Sequence, residues 1–125
     1  MPDIYQLPPN WPDIDTSRRL IAEGWYTVRV AEIASPAANR IEVVFEILDE
    51  GEHLGWSIYE TFTTDNENGV KAFKKFVEAV DVETPNLTID LAACKAKVLR
   101  VRVRQKTDEN GETWANVIAH ARDRG

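Results

Sequence analysis

The sequence predicts a mainly β domain with one helix, on three observations. Several segments between Gly24 and Ala121 carry the two-residue apolar alternation of half-buried strands; between Val70 and Val80 the period becomes helical; and Asn110-Gly111 is a strong short-range hairpin signal. The length, 125 residues, is that of one domain, and 43% hydrophobic against 29% charged side chains is an ordinary globular balance. A chain of this size buries roughly two thirds of its unfolded surface and folds without covalent staples. Its single cysteine, Cys94, excludes an intramolecular disulfide framework, and with only His53 and His120 beside it there is no ligand set for a closed zinc site, so no metal or other cofactor is expected.

Taken in order, residues 1–22 hold Pro2, Pro8, Pro9 and Pro12 and neither periodicity, which predicts an extended Pro-rich arm ahead of a domain spanning 23–122. Tyr26, Val28 and Val30 alternate in a first strand that ends near Ser35-Pro36. In the second, Ile41, Val43, Phe45 and Ile47 share one face and Arg40, Glu42 and Glu46 the other. After a turn at Asp49–Glu52, the segment 54–64 is a third strand, with Trp56, Ile58 and Phe62 opposite Ser57, Tyr59 and Thr61 in parity. Val70, Phe73, Phe76, Val77 and Val80 then make the apolar stripe of a helix of about three turns, preceded by the N-cap candidates Asp65, Asn66 and Asn68. A fourth strand spans about 95–106; Lys95 and Lys97 are out of phase with its arginines, which predicts a bulge near Val98-Leu99. The fifth runs through Trp114 to Ala121. Three strands, a helix and two strands is the order of a five-stranded antiparallel OB-fold barrel with one helix between strands three and four, a fold that binds oligonucleotides across strands two and three and the loops joining one to two and four to five.

Charge sharpens that expectation. The net charge is −6, yet it divides into −7 over residues 1–62 and +1 over 63–125. Between Ala93 and Lys106 there are six cations and no acid. A local stripe acts over the ~8 Å Debye length of physiological salt whatever the global charge, so polyanion binding stays open. Arg100, Arg102, Arg104 and Lys106 share one strand face and are the candidate phosphate contacts. The competing reading pairs those cations with Glu42, Glu46 or Glu60 on neighbouring strands. Trp25, Trp56, Tyr59 and Trp114 are candidate platforms for base stacking, with core packing the rival role and Trp56 and Tyr59 open between the two, and Arg40 at the mouth of the first hairpin is either a further contact or a plain surface residue. Tyr26, Phe45 and Phe62 share parity with β-branched neighbours and are expected in the core.

No catalytic constellation is found. Asp49, Glu50 and Glu52 lie in one turn, whereas metal-dependent cleavage needs carboxylates converging from rigid elements; His53 and His120 lack a nucleophile, and no phosphate-cradling glycine motif exists. A non-enzymatic role is expected. No apolar run reaches the ~18 residues of a membrane span and the proline-rich start is unlike a secretory signal, so a cytoplasmic protein with no membrane partner is expected.

The segments Leu20-Ile21-Ala22-Glu23-Gly24-Trp25-Tyr26-Thr27-Val28-Arg29-Val30, then Ile41 to Asp49, then Tyr59-Glu60-Thr61-Phe62-Thr63, resemble a family of small bacteriophage and prophage proteins catalogued as a domain of unknown function. The likeness continues through the Phe73–Val80 helix and the Asn110-Gly111-Glu112 hairpin to Asn116-Val117. That family resembles OB-fold single-stranded DNA-binding proteins of phage replication and recombination modules. The resemblance implies single-stranded DNA as the ligand and a host cytoplasm as the setting. Cys94-Lys95 departs from the glycine and lysine of related chains, and the end Ala121-Arg122-Asp123-Arg124-Gly125 lacks the acidic tail that many single-strand binders use for recruitment. The alternative is a protein-interaction module without direct DNA binding, whose acidic first half and arm dock a recombinase, a replication protein or a second copy, since unpaired strand edges offer a route to a homodimer.

Overall fold

The structure, a computed structural model, describes residues 4–13 and 20–123. Five strands, β1 (Gly24–Ala37), β2 (Arg40–Ile47), β3 (Ser57–Thr63), β4 (Val98–Thr107) and β5 (Thr113–Arg122), form one antiparallel sheet in the order β3-β2-β1-β4-β5, with helix α1 (Glu67–Val80) between β3 and β4. The expected element order is therefore present. The expected arm is described only over 4–13, where Ile4, Tyr5, Leu7 and Trp11 are exposed; the rest of it lies outside the described residues apart from the segment from Leu20 onward.

The expected barrel is not closed. Neither outer strand, β3 or β5, hydrogen-bonds through its backbone to the other, although alternate antiparallel pairing makes the two run in the same direction. They approach across a seam that side chains bridge. The His120 ring of β5 meets Glu60 Oε1 of β3 at 2.7 Å, both side chains almost fully buried. Side chains rather than backbone bonds join the two strands there: α1 packs against β5 and β3, Phe73 and Phe76 lie against Phe62, and Phe62 and Phe76 lie against the His120 ring.

The inward faces of the strands and one face of this helix share a single core. Val28, Val30, Val43, Phe45, Ile47, Phe62, Leu99, Val101 and Val103 are buried with Phe76 and Val80, in keeping with the two-residue and helical periods of their segments. Tyr26 is half-buried, its hydroxyl donating to the Ala22 carbonyl. Asn66 is the N-cap: its Oδ1 accepts from Gly69 N–H at 2.7 Å. The helix ends at Asp81, in the left-handed conformation, whose N–H returns to Glu78 O.

The bulge expected near Val98-Leu99 lies just before it, and β5 carries a further, unexpected one. β4 begins at Val98; the phase change of Lys95 and Lys97 comes instead from Ala96, at φ 70°, whose N–H donates to Val30 O while Val30 N–H donates to Lys97 O. The register shift on the β4–β5 ladder lies in β5, where Val103 pairs with Val117 and Arg102 with Ala119, leaving Ile118 as the extra residue. That insertion reverses the parity of everything after it. His120 consequently turns inward opposite Val101, while Trp114 and Asn116 turn outward opposite Lys106 and Arg104.

Burial holds the Glu60 carboxyl above its ordinary range, only partly offset by the hydrogen bond and charge of His120. A carboxyl raised in this way stabilises the fold below its unfolded pKa and loses that contribution as pH rises through the folded one. Glu60→Gln keeps an acceptor for His120 and removes the charge. The variant is expected to melt close to the parent below the ordinary carboxyl value of 4.5, and above it at neutral pH. Melting temperatures of both proteins across that range check the sign; a gap that stays constant or reverses would show that ionised Glu60 is not a strained component of the seam.

Candidate nucleic-acid interface

β4 positions the cationic stripe. Its residues alternate strictly, so Leu99, Val101 and Val103 enter the core while Arg100, Arg102, Arg104 and Lys106 project from the outer face, all four exposed. At a rise of ~3.3 Å per residue, successive cations lie ~6.6 Å apart along the strand. The ladders show what flanks them. On β1, Thr27 lies opposite Arg100 and Trp25 opposite Arg102; on β5, Ala121, Ala119 and Asn116 lie opposite Arg100, Arg102 and Arg104. None of these cross-strand partners is acidic; one carboxylate reaches the strand from just before β1, Glu23, which accepts from Gln105 N–H at 2.9 Å and shares a small cleft with Arg102 and Arg104 without an ion pair to either.

The competing assignment, in which acids on neighbouring strands neutralise the stripe, fails on topology. β1 separates β4 from β2, and β3 lies one strand further. The acids are also engaged elsewhere: Glu46 accepts from Arg29 at 2.9 Å, Glu42 from Arg40 at 2.7 Å, and Glu60 meets His120. Lys95, also in the basic segment, pairs with Glu32 at 3.4 Å. Among the described residues, no carboxylate forms an ion pair with Arg100, Arg102, Arg104 or Lys106. Four like charges held on one face without an ion-paired partner among the described residues repel one another, and an anionic ligand relieves that repulsion.

Aromatic side chains gather at both ends of the stripe. Trp25 is 43% exposed, and the Arg100 guanidinium lies 5.3 Å from its ring centroid. At the other end Trp114, half-buried at the base of the last hairpin, pairs directly with Lys106. Tyr59 of β3 is 72% exposed on the outer face. It belongs to the same end, because Tyr59 and Trp114 line a common cleft of about 530 Å³ at the open part of the seam, with Leu20 and Ile21 also lining it.

Two other candidates fall outside this arrangement. Trp56 packs half-buried against the core, with the His53 ring 4.6 Å away in edge contact, so the parity shared with Ile58 and Phe62 decides its position. Arg40 is held by Glu42, and it lies on the β1–β2 hairpin, which extends past Arg29, the last β1 residue paired with β4. The stripe and Arg40 are thus at different parts of the sheet. The convergence of Tyr59 with Trp114, and the roles of Ser57 and Asn116 beside them, were not readable from the chain, because they depend on how closely β3 approaches β5.

The family model described as a protein of unknown function (DUF669) matches residues 13–124, nearly the whole chain. No curated protein matches it.

Proposed function

The chain belongs to this family of proteins of unknown function, and from that premise we propose that it is a non-enzymatic domain that binds single-stranded DNA with little sequence preference. One observation carries the reading: four exposed cations in a row on β4, whose cross-strand partners are neutral or aromatic and none of which forms an ion pair among the described residues, with Glu23 the one carboxylate bonded to their strand. Phosphates would follow the cations, and bases would stack on Trp25, Trp114 and Tyr59, a combination that tracks a strand without reading its sequence. The order of elements, with β1 pairing to both β2 and β4 and α1 following β3, supports an OB-like ancestry for the open sheet. A phage replication or recombination setting, in a host cytoplasm, rests on the sequence resemblance alone. Among the described residues no helix is long and apolar enough to cross a membrane.

Intrinsic tryptophan fluorescence tests the reading directly. Titration with oligo-dT is expected to quench emission at about 50 mM salt and much less at about 200 mM, with a duplex of equal length giving a weaker response. Absence of quenching and of affinity at the lower salt would favour the second reading, a protein-interaction module. That reading has its own observation, the exposed Ile4, Tyr5, Leu7 and Trp11 of the arm, which present four large apolar side chains to a recombinase, a replication protein or a second copy.

A further inference from the structure

We propose that the cleft at the open seam takes a single unstacked nucleobase and so ends the path of the bound strand; the inference rests on the single-strand reading above. The first argument is continuity. Lys106, the last cation of the stripe, is the direct cross-strand partner of Trp114, which lines the cleft, so a backbone following β4 arrives at the cleft without a gap. The second is a barrier. Beyond Lys106 the hairpin tip is closed by Asp108, whose Oδ1 accepts from Asn110 and Glu112 N–H at 2.9 Å each. That tip carries the carboxylates of Asp108, Glu109 and Glu112, and a polyanion continuing straight ahead would meet them. The strand is therefore turned across β5 toward β3.

The cleft has the composition a base requires. Trp114 and Tyr59 supply π-faces, Leu20 and Ile21 an apolar floor, and Ser57 and Asn116 hydrogen-bonding groups for the base edge. Its volume of about 530 Å³ lies within the ~300–1,000 Å³ of small-molecule sites. The seam is open here because the Glu60–His120 contact and the Phe62 and Phe76 rings close it only further along the strands. An extended peptide could also use the two unpaired strand edges. The adjoining cations favour the nucleic acid.

The test compares oligo-dT with a fully abasic strand of equal length, against the parent, Tyr59→Ala and Ser57→Trp. Tyr59 is exposed, so its loss leaves the core intact, and Ser57→Trp puts a bulky ring into the cleft beside Tyr59 and Trp114, obstructing the place a base would take. Each variant is expected to bind oligo-dT about 5- to 150-fold more weakly, with binding of the abasic strand unchanged. If the parent binds oligo-dT and Ser57→Trp binds it equally well, the cleft is not a base site and the proposal falls while the single-strand reading stands. If the parent does not bind oligo-dT, that reading itself fails. Sedimentation of the free proteins covers the other occupant: a parent dimer made monomeric by Ser57→Trp would assign the cleft to a second copy and overturn the proposal.

Discussion

Replacing Arg100, Arg102 and Arg104 together with glutamine is expected to weaken binding of oligo-dT by several hundredfold and to flatten its salt dependence. The magnitude follows from counterion release. Each phosphate neutralised on a single strand contributes about −0.7 to the slope of log affinity against log salt. Four contacts give a slope of about −2.8, a loss of roughly 50-fold between about 50 and 200 mM salt; one remaining contact at Lys106 gives about −0.7 and a loss of roughly threefold. Taking 1 M salt as the reference, three contacts are together worth roughly 500-fold at 50 mM. The fold should tolerate the change, since the three side chains are exposed, form no ion pair among the described residues, and share a strand whose inward residues are untouched. Only the Arg100 contact with the Trp25 ring is lost. Fluorescence titrations at several salt concentrations measure both quantities. An unchanged slope would mean that phosphates do not lie along β4, whatever the affinity.

The same residues show what the chain makes legible and what it withholds. The stripe could be read from parity alone, because β4 alternates without interruption from Val98 to Lys106 and each core residue fixes the direction of the next cation. The identity of its neighbours could not, since cross-strand partners are set by strand order. The sequence allowed Glu42, Glu46 or Glu60 beside the arginines; the order β3-β2-β1-β4-β5 places Thr27, Trp25 and the alanines of β5 there instead. His120 is the clearest case of concealed information. Counted from Trp114 it has an outward parity, and only the extra residue at Ile118 brings it inside against Glu60 and Phe62. A bulge of one residue has no strong composition signal, so a buried polar contact that bridges the seam reads in the sequence as an isolated histidine. Closure of the barrel is not legible in the chain for a related reason. Element order is a local property, whereas closure depends on whether helix side chains or backbone occupy the space between β3 and β5, and here Phe73, Phe76 and His120 occupy it.

Gly69→Ala is expected to destabilise the protein, against the ordinary preference of a helix for alanine. Gly69 lies in the first turn of α1, where exchanging glycine for alanine would by propensity alone gain up to ~1 kcal/mol. The position is not an open helix surface. A Cβ built there would come 1.6 Å from the Thr63 carbonyl oxygen and 2.8 Å from its Oγ1. The obstacle is backbone, so no rotamer change relieves it. Thr63 is the last residue of β3, and only Thr64, Asp65 and the cap Asn66 separate it from α1, so the helix starts pressed against the strand it follows. Asn66 fixes this approach from both sides, its Oδ1 accepting from Gly69 N–H while its Nδ2 donates to Thr63 Oγ1 at 2.9 Å. Making room for a methyl group must therefore either lift the first turn and break the cap, worth ~1 kcal/mol, or displace the end of β3, and forced insertions of this kind typically cost ~1–3 kcal/mol. The clash exceeds the propensity gain, and urea unfolding should show a lower midpoint at an unchanged slope. A midpoint equal to or above that of the parent would mean that α1 begins further from β3. The helix then would not be held against the seam where Phe73 and Phe76 meet Phe62 and His120, and the explanation of the open barrel would lose its support.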